Sequence, residues 1–200
     1  MAPYNELLWI FTQLPEDYIV LDTETTGLPD ENGLPDIVTL GIAAVSNREI
    51  AESVEFKTRP QKRISEEAQS IHGITNEQAA AFESFDLQWH QIAEYLTNRL
   101  IVIHNASFDW PILLNHVARN ELAMPPIQGV FCSQKAATPW AQAMNLPCSH
   151  RGPSLDILAE ALAVESLRAK EGGFHGSAID SRQAARVIEM LRRRGNMGSV

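Results

Sequence analysis

The sequence predicts an α/β fold in which a mixed five-stranded sheet is covered by helices. Three predicted strands follow one another in hairpin order, and later apolar strands alternate with helical segments. No internal repeat, low-complexity tract or linker divides the 200 residues, of which 44% are hydrophobic. A chain of this length and composition can bury one sizeable core, so we expect a single domain over residues 1–200.

The first elements predict a helix followed by three antiparallel strands. Residues 5–14 carry several large apolar side chains and favour a short helix that covers one edge of the core. An apolar run then reaches Asp22 and Glu24 before Thr26-Gly27 ends the strand. After a loop rich in Pro, Asp, Asn and Gly, residues 37–45 are nearly all apolar, as a buried strand should be. A turn at Ser46-Asn47 and alternation over 50–57 predict the returning strand.

The second half predicts two parallel strands among helices. A capping box of Thr75 and Gln78 opens one short helix, and apolar residues on one face indicate a longer helix over 85–97. The remaining predicted elements are a helix over 65–70, strands over 100–103 and 129–132, and helices over 105–120, 135–144, 155–162 and 178–193. Strands that alternate with helices in this way are typical of parallel pairing.

The charge balance limits the kinds of partner that we expect. Sixteen Lys and Arg against 25 Asp and Glu give a net charge of −9, which argues against broad adhesion to nucleic acid. It does not argue against a nuclease, because divalent cations bound to carboxylates would reverse the field that a phosphate meets. Two basic clusters are interpreted as solvated surface or, alternatively, as a phosphate track: Lys57, Arg59, Lys62 and Arg63, and Arg192, Arg193 and Arg194.

Targeting and cysteine signals are sparse. The first twenty residues lack a basic leader with a cleavage site, and no apolar run is long enough to span a bilayer. We therefore expect a cytoplasmic protein with no membrane partner. Cys132 and Cys148 are too few for a disulfide framework, with a single bridge as the alternative. With His150 they could in principle bind zinc, but their spacing matches no closed zinc site.

Four carboxylates stand where a shared cation site would need them. Asp22 and Glu24 lie two residues apart on a strand and so face the same side. Asp109 and Asp180 fall on the apolar faces of their predicted helices, where an unpaired carboxylate is costly. Together they predict a site for hard divalent cations. The alternatives are a polar strand end for the first pair and caps or ion pairs for the other two.

One histidine is a candidate base. His175 precedes Asp180 by five residues, and neighbouring Gly172, Gly173 and Gly176 give its loop backbone freedom. An imidazole is a natural proton acceptor near neutral pH. His104 is expected to brace its loop rather than to catalyse.

Three ordered motifs resemble the DEDDh superfamily of 3′–5′ exonucleases, which includes the epsilon proofreading subunit of bacterial DNA polymerase III, exonuclease X, ribonuclease T and oligoribonuclease. They are residues 22–27 (DTETTG), 104–109 (HNASFD) and 175–180 (HGSAID), and the resemblance runs over about 18–191, after an N-terminal helical extension over 1–16. A histidine five residues before the last Asp points to the DEDDh branch rather than to the DEDDy branch, which has a Tyr at four.

The resemblance implies a ribonuclease H-like fold and a two-metal mechanism with Mg²⁺ or Mn²⁺. Asp22, Glu24 and Asp180 would bind one ion, Asp22 would also reach a second ion supported by Asp109, and His175 would take a proton from the attacking water. The implied contacts to the terminal nucleotide are Thr25, Thr26, Gly27, Asn105 and Phe108.

The implied activity is hydrolysis at the 3′ end of DNA, single-stranded or frayed, with release of nucleoside 5′-monophosphates. The alternatives are an exoribonuclease that trims RNA or oligoribonucleotides and, from another class, a catalytically silent nucleic-acid-binding module. The chain ends nine residues after Leu191, so a polymerase tether is not expected. No sequence feature indicates an oligomeric state.

Overall fold

The structure is a computed structural model that describes residues 4–31, 33–170 and 174–197, without the side chain of residue 170. Gly172 and Gly173, whose backbone freedom was predicted to serve His175, lie outside the described residues. Within the described ranges, no helix is long and apolar enough to cross a membrane.

The described residues form a mixed five-stranded sheet. Its strands are β1 (Tyr18–Thr25), β2 (Ile37–Ser46), β3 (Glu49–Lys57), β4 (Leu100–Ile103) and β5 (Gly129–Cys132). Their order is β3-β2-β1-β4-β5, with antiparallel pairing among β1, β2 and β3 and parallel pairing of β1 with β4 and of β4 with β5. The predicted fold class is therefore confirmed.

Helices cover both faces of this sheet. After a 3-10 turn over Asn5–Leu8, they are α1 (Trp9–Thr12), α2 (Glu66–His72), α3 (Asn76–Ala80), α4 (Phe85–Leu96), α5 (Ala106–Arg119), α6 (Ser133–Ala143), α7 (Leu155–Ala161), α8 (Leu167–Lys170) and α9 (Ser177–Asn196). Ser65 caps α2, and the predicted capping box of Thr75 and Gln78 opens α3.

Alternation along β1 divides the core into two layers. Tyr18 and Val20 pack with residues of α1, α6, α7 and α9 on one face. Ile19 and Leu21 pack with α4 and α5 on the other. Because side chains alternate along a strand, residues 22 and 24 continue toward α9, and residue 23 continues toward α5.

Several details differ from the sequence prediction. No helix was predicted over α8, which follows α7 after a short loop. The hairpin turn lies at Asn47 and Arg48, with φ of 49° and 68°, because a tight turn of this type needs two left-handed residues, and Ser46 stays in β2. Both cysteines are free.

Arg192 is neither solvated surface nor part of a phosphate track. Its side chain is buried, and its guanidinium donates to the carbonyl of Pro15 at 3.0 Å and to the carbonyl of Leu14. It also contacts Glu189 at 3.2 Å. A buried guanidinium needs such acceptors, so Arg192 fastens the N-terminal segment to α9.

Candidate active site

Strand β1 carries Asp22 and Glu24 at its C-terminal end. In the antiparallel pairing with β2, Asp22 lies opposite Gly41 and Glu24 lies opposite Thr39. The ladder is regular through Glu24 and shifts only between Glu24 and Thr25. The two carboxylates therefore keep the alternation of the strand and face the same side, as the sequence predicted, and this side is the one that α9 covers.

Gly41 lets α9 begin directly on the sheet. A Cβ at this position would lie 2.1 Å from the carbonyl carbon of Ser177 and 2.4 Å from the amide nitrogen of Ala178. The Ser177 hydroxyl donates to Oγ1 of Thr39 at 2.7 Å, which fixes the helix start beside the site. As a result Asp180, in the first turn of α9, lies next to the carboxylates of β1. An isolated glycine in an apolar strand is the sequence signal for such a close approach.

Asp109 approaches from the opposite layer. It lies in the first turn of α5 and is buried. One carboxylate oxygen accepts a hydrogen bond of 2.7 Å from the Thr23 hydroxyl and one of 3.2 Å from the Thr23 amide. The single residue between Asp22 and Glu24 therefore connects the third carboxylate to the first two.

Three of these carboxylates have raised pKa values, because they are buried and, for two of them, because other carboxylates lie nearby. Burial, together with the carboxylates of Asp109 and Asp180, raises the pKa of Asp22 well above its usual range. Burial and the charge of Asp180 raise the pKa of Glu24 to about 8. Burial raises the pKa of Asp109 to about 7, although the hydrogen bonds from Thr23 act against this shift. Such a cluster is stabilised by cations.

Asp180 differs because cations already surround it. His175 Nδ1 lies 3.4 Å from Asp180 Oδ2. Burial raises the pKa of Asp180, but hydrogen bonds from His175 and Arg168 outweigh it and lower that pKa below its usual value. The same contact with Asp180 raises the pKa of His175. Glu24, His175 and Asp180 each offer a ligand atom within 4.8 Å of the others, a spacing that can hold a metal ion.

Arg168 is a site residue that the sequence analysis missed. Its Nε donates to Asp180 Oδ1 at 2.6 Å and its Nη2 donates to Oδ2 at 2.7 Å, while Nη1 contacts both oxygens of Asp156 at 2.9 and 3.1 Å. Arg168 lies in α8, a four-residue helix that is too short for an apolar periodicity to reveal.

The loop before α9 is attached to the end of α2. The His175 amide donates to the carbonyl of Ile71 at 3.1 Å. A Cβ on Gly73, whose φ is +74°, would lie 3.2 Å from the Phe174 ring. These contacts hold the backbone of His175 against the wall of a neighbouring cavity.

Two open cavities flank the carboxylates. One, of about 590 Å³, is lined by Glu24, Lys62, Arg63, Ile71 and His72 and by four residues predicted to contact substrate, namely Thr25, Thr26, Gly27 and Phe108. The other, of about 620 Å³, is lined by Asp22, Arg168, His175 and Asp180 and by the remaining predicted contact, Asn105. Glu24 thus lines one cavity and Asp22 and Asp180 line the other, whereas Asp109 lines neither and contacts Thr23.

Two of these predicted contacts are also constrained by the protein itself. The Thr25 hydroxyl donates to the Gly27 carbonyl at 2.8 Å. The Thr26 hydroxyl accepts from the amide of Asp36 at 3.0 Å. Both hydroxyls shape the loop after β1, which leaves this loop's backbone to line the cavity.

Other polar candidates lie outside this cluster. His104 contacts the Ser133 hydroxyl at 3.1 Å and the Pro153 carbonyl at 3.2 Å, and burial lowers its pKa to about 4. It braces the loop, as predicted. Within the part of the chain that the structure describes, the group of metal-ligating side chains with ligand atoms within 4.8 Å of one another is Glu24, His175 and Asp180, and it does not include Cys132, Cys148 or His150.

Comparison with known proteins gives one family and one fold. The model of the RNase_T exonuclease family matches residues 19–188. The chain is 28% identical over 182 residues to a PolC-type DNA polymerase III of Thermotoga petrophila, covering 89% of this chain and 12% of that protein. It is 31% identical over 113 residues to the DNA polymerase III epsilon subunit of Pasteurella multocida, covering 54% of this chain and 42% of that subunit.

A solved structure shares the fold. The nuclease domain of 3′hExo, a DEDDh family member solved with bound rAMP, superposes with a TM-score of 0.68 at 17% identity, over 89% of this chain and 92% of that one.

The polymerase relatives are much longer than the matched region, so the chain spans an eighth to under half of their length.

Proposed function

Because this chain belongs to the RNase_T family of DEDDh-type 3′–5′ exonucleases, which act on nucleic acids, we propose that it hydrolyses the 3′ ends of DNA and releases nucleoside 5′-monophosphates. Single-stranded or frayed ends are the proposed substrate. The observation that carries this proposal is that Asp22, Glu24, Asp180 and His175 line two neighbouring open cavities, with Asp109 bonded to Thr23 between Asp22 and Glu24.

The donor set fits hard divalent cations. Carboxylate oxygens are the ligands that Mg²⁺ and Mn²⁺ prefer, and the raised pKa values of Asp22, Glu24 and Asp109 are those of a cluster that needs positive charge. We propose that Asp22, Glu24 and Asp180 hold one ion and that Asp22 and Asp109 hold a second. Two such ions would lower the pKa of the attacking water and stabilise the leaving 3′ oxygen.

His175 is the proposed general base. Its side chain is 42% exposed, so the ring can reach a water in the cavity, while its contact with Asp180 orients it. Its backbone is held by Ile71, a residue that also lines the cavity proposed for the terminal nucleotide. Ile71 would therefore contact both the substrate in that cavity and the backbone of the proposed base.

The proposed contacts to the terminal nucleotide in the cavity of about 590 Å³ are Thr25, Thr26, Gly27 and Phe108, and the proposed contact in the cavity of about 620 Å³ is Asn105. Lys62 and Arg63 line the same cavity as the first four and supply positive charge near a phosphate. The similarity to DNA polymerase III proteins supports DNA over RNA as the polymer.

Digestion of a 5′-labelled single-stranded DNA and of an RNA of the same sequence tests this proposal. We expect a ladder that shortens from the 3′ end with Mg²⁺ or Mn²⁺ and stops with EDTA. Asp22→Ala removes a proposed ligand and should abolish cleavage. Asp86→Ala removes an exposed carboxylate at the start of α4 and should leave the rate unchanged.

Each result separates the alternatives. A higher rate on RNA would replace DNA by RNA as the proposed substrate. No cleavage of either polymer, with measurable binding of both, would favour the silent binding module. An Asp22→Ala protein as active as the unmodified chain would overturn the two-metal site.

We further propose that residues 1–200 form a single exonuclease domain and that the protein is cytoplasmic. The family match over 19–188 supports the first proposal, because it extends through most of the chain without interruption. Limited proteolysis that released a stable fragment would contradict it.

A further inference from the structure

Arg168 binds the carboxylate of Asp180, which a metal ion at this site would need as a ligand. Its bidentate contact uses both oxygens of Asp180, at 2.6 and 2.7 Å. A divalent cation shared with Glu24 would use one of these two oxygens as a ligand. A guanidinium and a metal ion repel each other, so Arg168 and a metal ion compete for Asp180.

The rest of α8 fixes the backbone of Arg168, whereas the guanidinium has a second acceptor besides Asp180. The Leu167 amide donates to Gln183 Oε1 at 2.9 Å, and the Leu167 side chain is buried, so the backbone beneath Arg168 is fixed to α9. Asp156, already bonded to Nη1, is 64% exposed and faces the cavity of about 620 Å³. The guanidinium can therefore leave Asp180 while it keeps Asp156.

The same cavity is where a phosphate would meet this guanidinium. Asp22, Arg168, His175 and Asp180 all line it, so a phosphodiester beside the catalytic carboxylates lies within reach of the Arg168 head. Arginine binds phosphate through the same paired donors that it uses for a carboxylate. Phosphate would thus replace the acceptor that Arg168 gives up.

We propose that Arg168 is a displaceable counter-cation of Asp180 that transfers to the substrate phosphate, so that metal binding and 3′-end binding favour each other. This inference rests on the proposed function, because it assigns Asp180 to the metal. In the absence of substrate, Arg168 neutralises Asp180 and competes with the metal. With substrate bound, Arg168 contributes to phosphate binding and Asp180 is free.

Mn²⁺ affinity, measured by calorimetry with and without thymidine 5′-monophosphate, tests the inference without requiring cleavage. For the unmodified chain we expect the nucleotide to tighten Mn²⁺ binding by about tenfold, a typical coupling between two sites. Arg168→Gln should bind Mn²⁺ about tenfold more tightly in the absence of nucleotide and should lose most of this coupling.

Two further variants separate displacement from a general charge effect. Arg151→Gln removes a positive charge from the same cavity without a contact to Asp180 and should leave Mn²⁺ affinity within about twofold. Arg168→Lys keeps the charge but cannot hold both oxygens of Asp180, so its Mn²⁺ binding should also be tighter. It also serves if Arg168→Gln does not fold.

The outcomes that overturn the inference are distinct from failure of the proposed function. Mn²⁺ affinity of Arg168→Gln equal to that of the unmodified chain, or an equal gain in Arg151→Gln, overturns the role of Arg168 and leaves the exonuclease proposal standing. If the unmodified chain binds no Mn²⁺ with or without nucleotide, the metal site itself fails.

Discussion

The two helices that bring a carboxylate to β1 prepare it in opposite ways. Asp109 of α5 is held by neutral donors, the hydroxyl and amide of Thr23, and burial raises its pKa to about 7. Asp180 of α9 is held by Arg168 and His175, and its pKa is lowered. Both carboxylates are buried, so burial alone does not determine whether they are charged.

This difference shows how a protein can keep several carboxylates together before cations arrive. Burial favours the protonated form on one side, whereas resident cations favour the ionised form on the other. We therefore expect Asp180 to be the more strongly ionised of the two in metal-free protein. The following substitutions and conditions test the two sides separately.

The largest difference between the two sides is expected in the stability of metal-free protein, when each carboxylate is replaced by its amide. Asp180→Asn leaves the largely buried Arg168 with Asp156 as its only anionic partner, so the free energy of unfolding should fall by about 3 kcal/mol. Asp109→Asn keeps an oxygen acceptor for Thr23 and removes a charge that burial disfavours, so stability should stay the same or rise. Urea denaturation in EDTA measures both, and equal losses would contradict the comparison.

Gly41→Ala should displace the α9 side alone. The new Cβ would lie within 2.4 Å of backbone atoms of Ser177 and Ala178, so the start of α9 must move. Moving catalytic groups by about 1 Å can cost about 100-fold, and we expect kcat/KM to fall by that amount.

Gly176→Ala is the matched control for this substitution. Its Cβ would lie nearest to the Ile179 side chain, 3.3 Å from the terminal carbon, and its φ of −154° suits any residue. Its cleavage rate should stay within about threefold of the unmodified chain, because this is a small fraction of the 100-fold loss expected at position 41. Equal losses in both variants would mean that the contact at Gly41 is not what places Asp180.

The stability of metal-free protein should fall as the pH rises from 6.5 to 8. The folded pKa values of Glu24 and Asp109, about 8 and about 7, lie above their ordinary values of 4.5 and 3.8. A carboxyl group whose pKa is raised on folding stabilises the folded state fully when the pH is below its ordinary pKa. This stabilisation is lost as the pH rises through the pKa of the group in the folded protein. The expected fall is about 2 kcal/mol, since one group contributes about 1.4 kcal/mol per pH unit.

Urea denaturation in EDTA across this pH range measures the effect. Asp109→Asn should reduce the slope, because it removes one of the groups whose raised pKa produces it; the raised pKa of His175 acts in the same direction. Added Mg²⁺ should flatten the dependence. A stability that rises over this range would contradict the raised pKa values.

The smallest effect is expected at Thr23. Thr23→Val removes the hydroxyl that donates to Asp109 and should lower the free energy of unfolding by about 1 kcal/mol. Thr23→Ser keeps the hydroxyl and is the control. If the cleavage rate of Thr23→Val fell as far as that of Gly41→Ala, the α5 side and the α9 side would be equally sensitive to substitution.

The strands and most helices could be predicted because their signals are local. The apolar runs at β1, β2 and β4 and the capping box at Thr75 each involve residues that are neighbours in sequence. The inward positions of Asp109 and Asp180 also follow from helical spacing, and both side chains are buried as predicted.

The parts that were missed depend on contacts between distant segments. Arg168 lies in four helical residues without a repeat, and it becomes a site residue only because α8 packs beside α9. Arg192 looked like one of three surface arginines, but the carbonyls of Leu14 and Pro15 lie far away in sequence. Thr23 and Gly41 did carry signals, the alternation of β1 and a glycine within an apolar strand.

The contact at Gly41 has a consequence for interpreting related sequences. The backbone of α9 occupies the space where any side chain at this position would begin. A relative that keeps all four carboxylates and the histidine will still fail to assemble them if a larger residue replaces this glycine without a compensating shift of α9. Position 41 is a steric criterion for separating competent exonucleases from relatives that preserve only the motif letters.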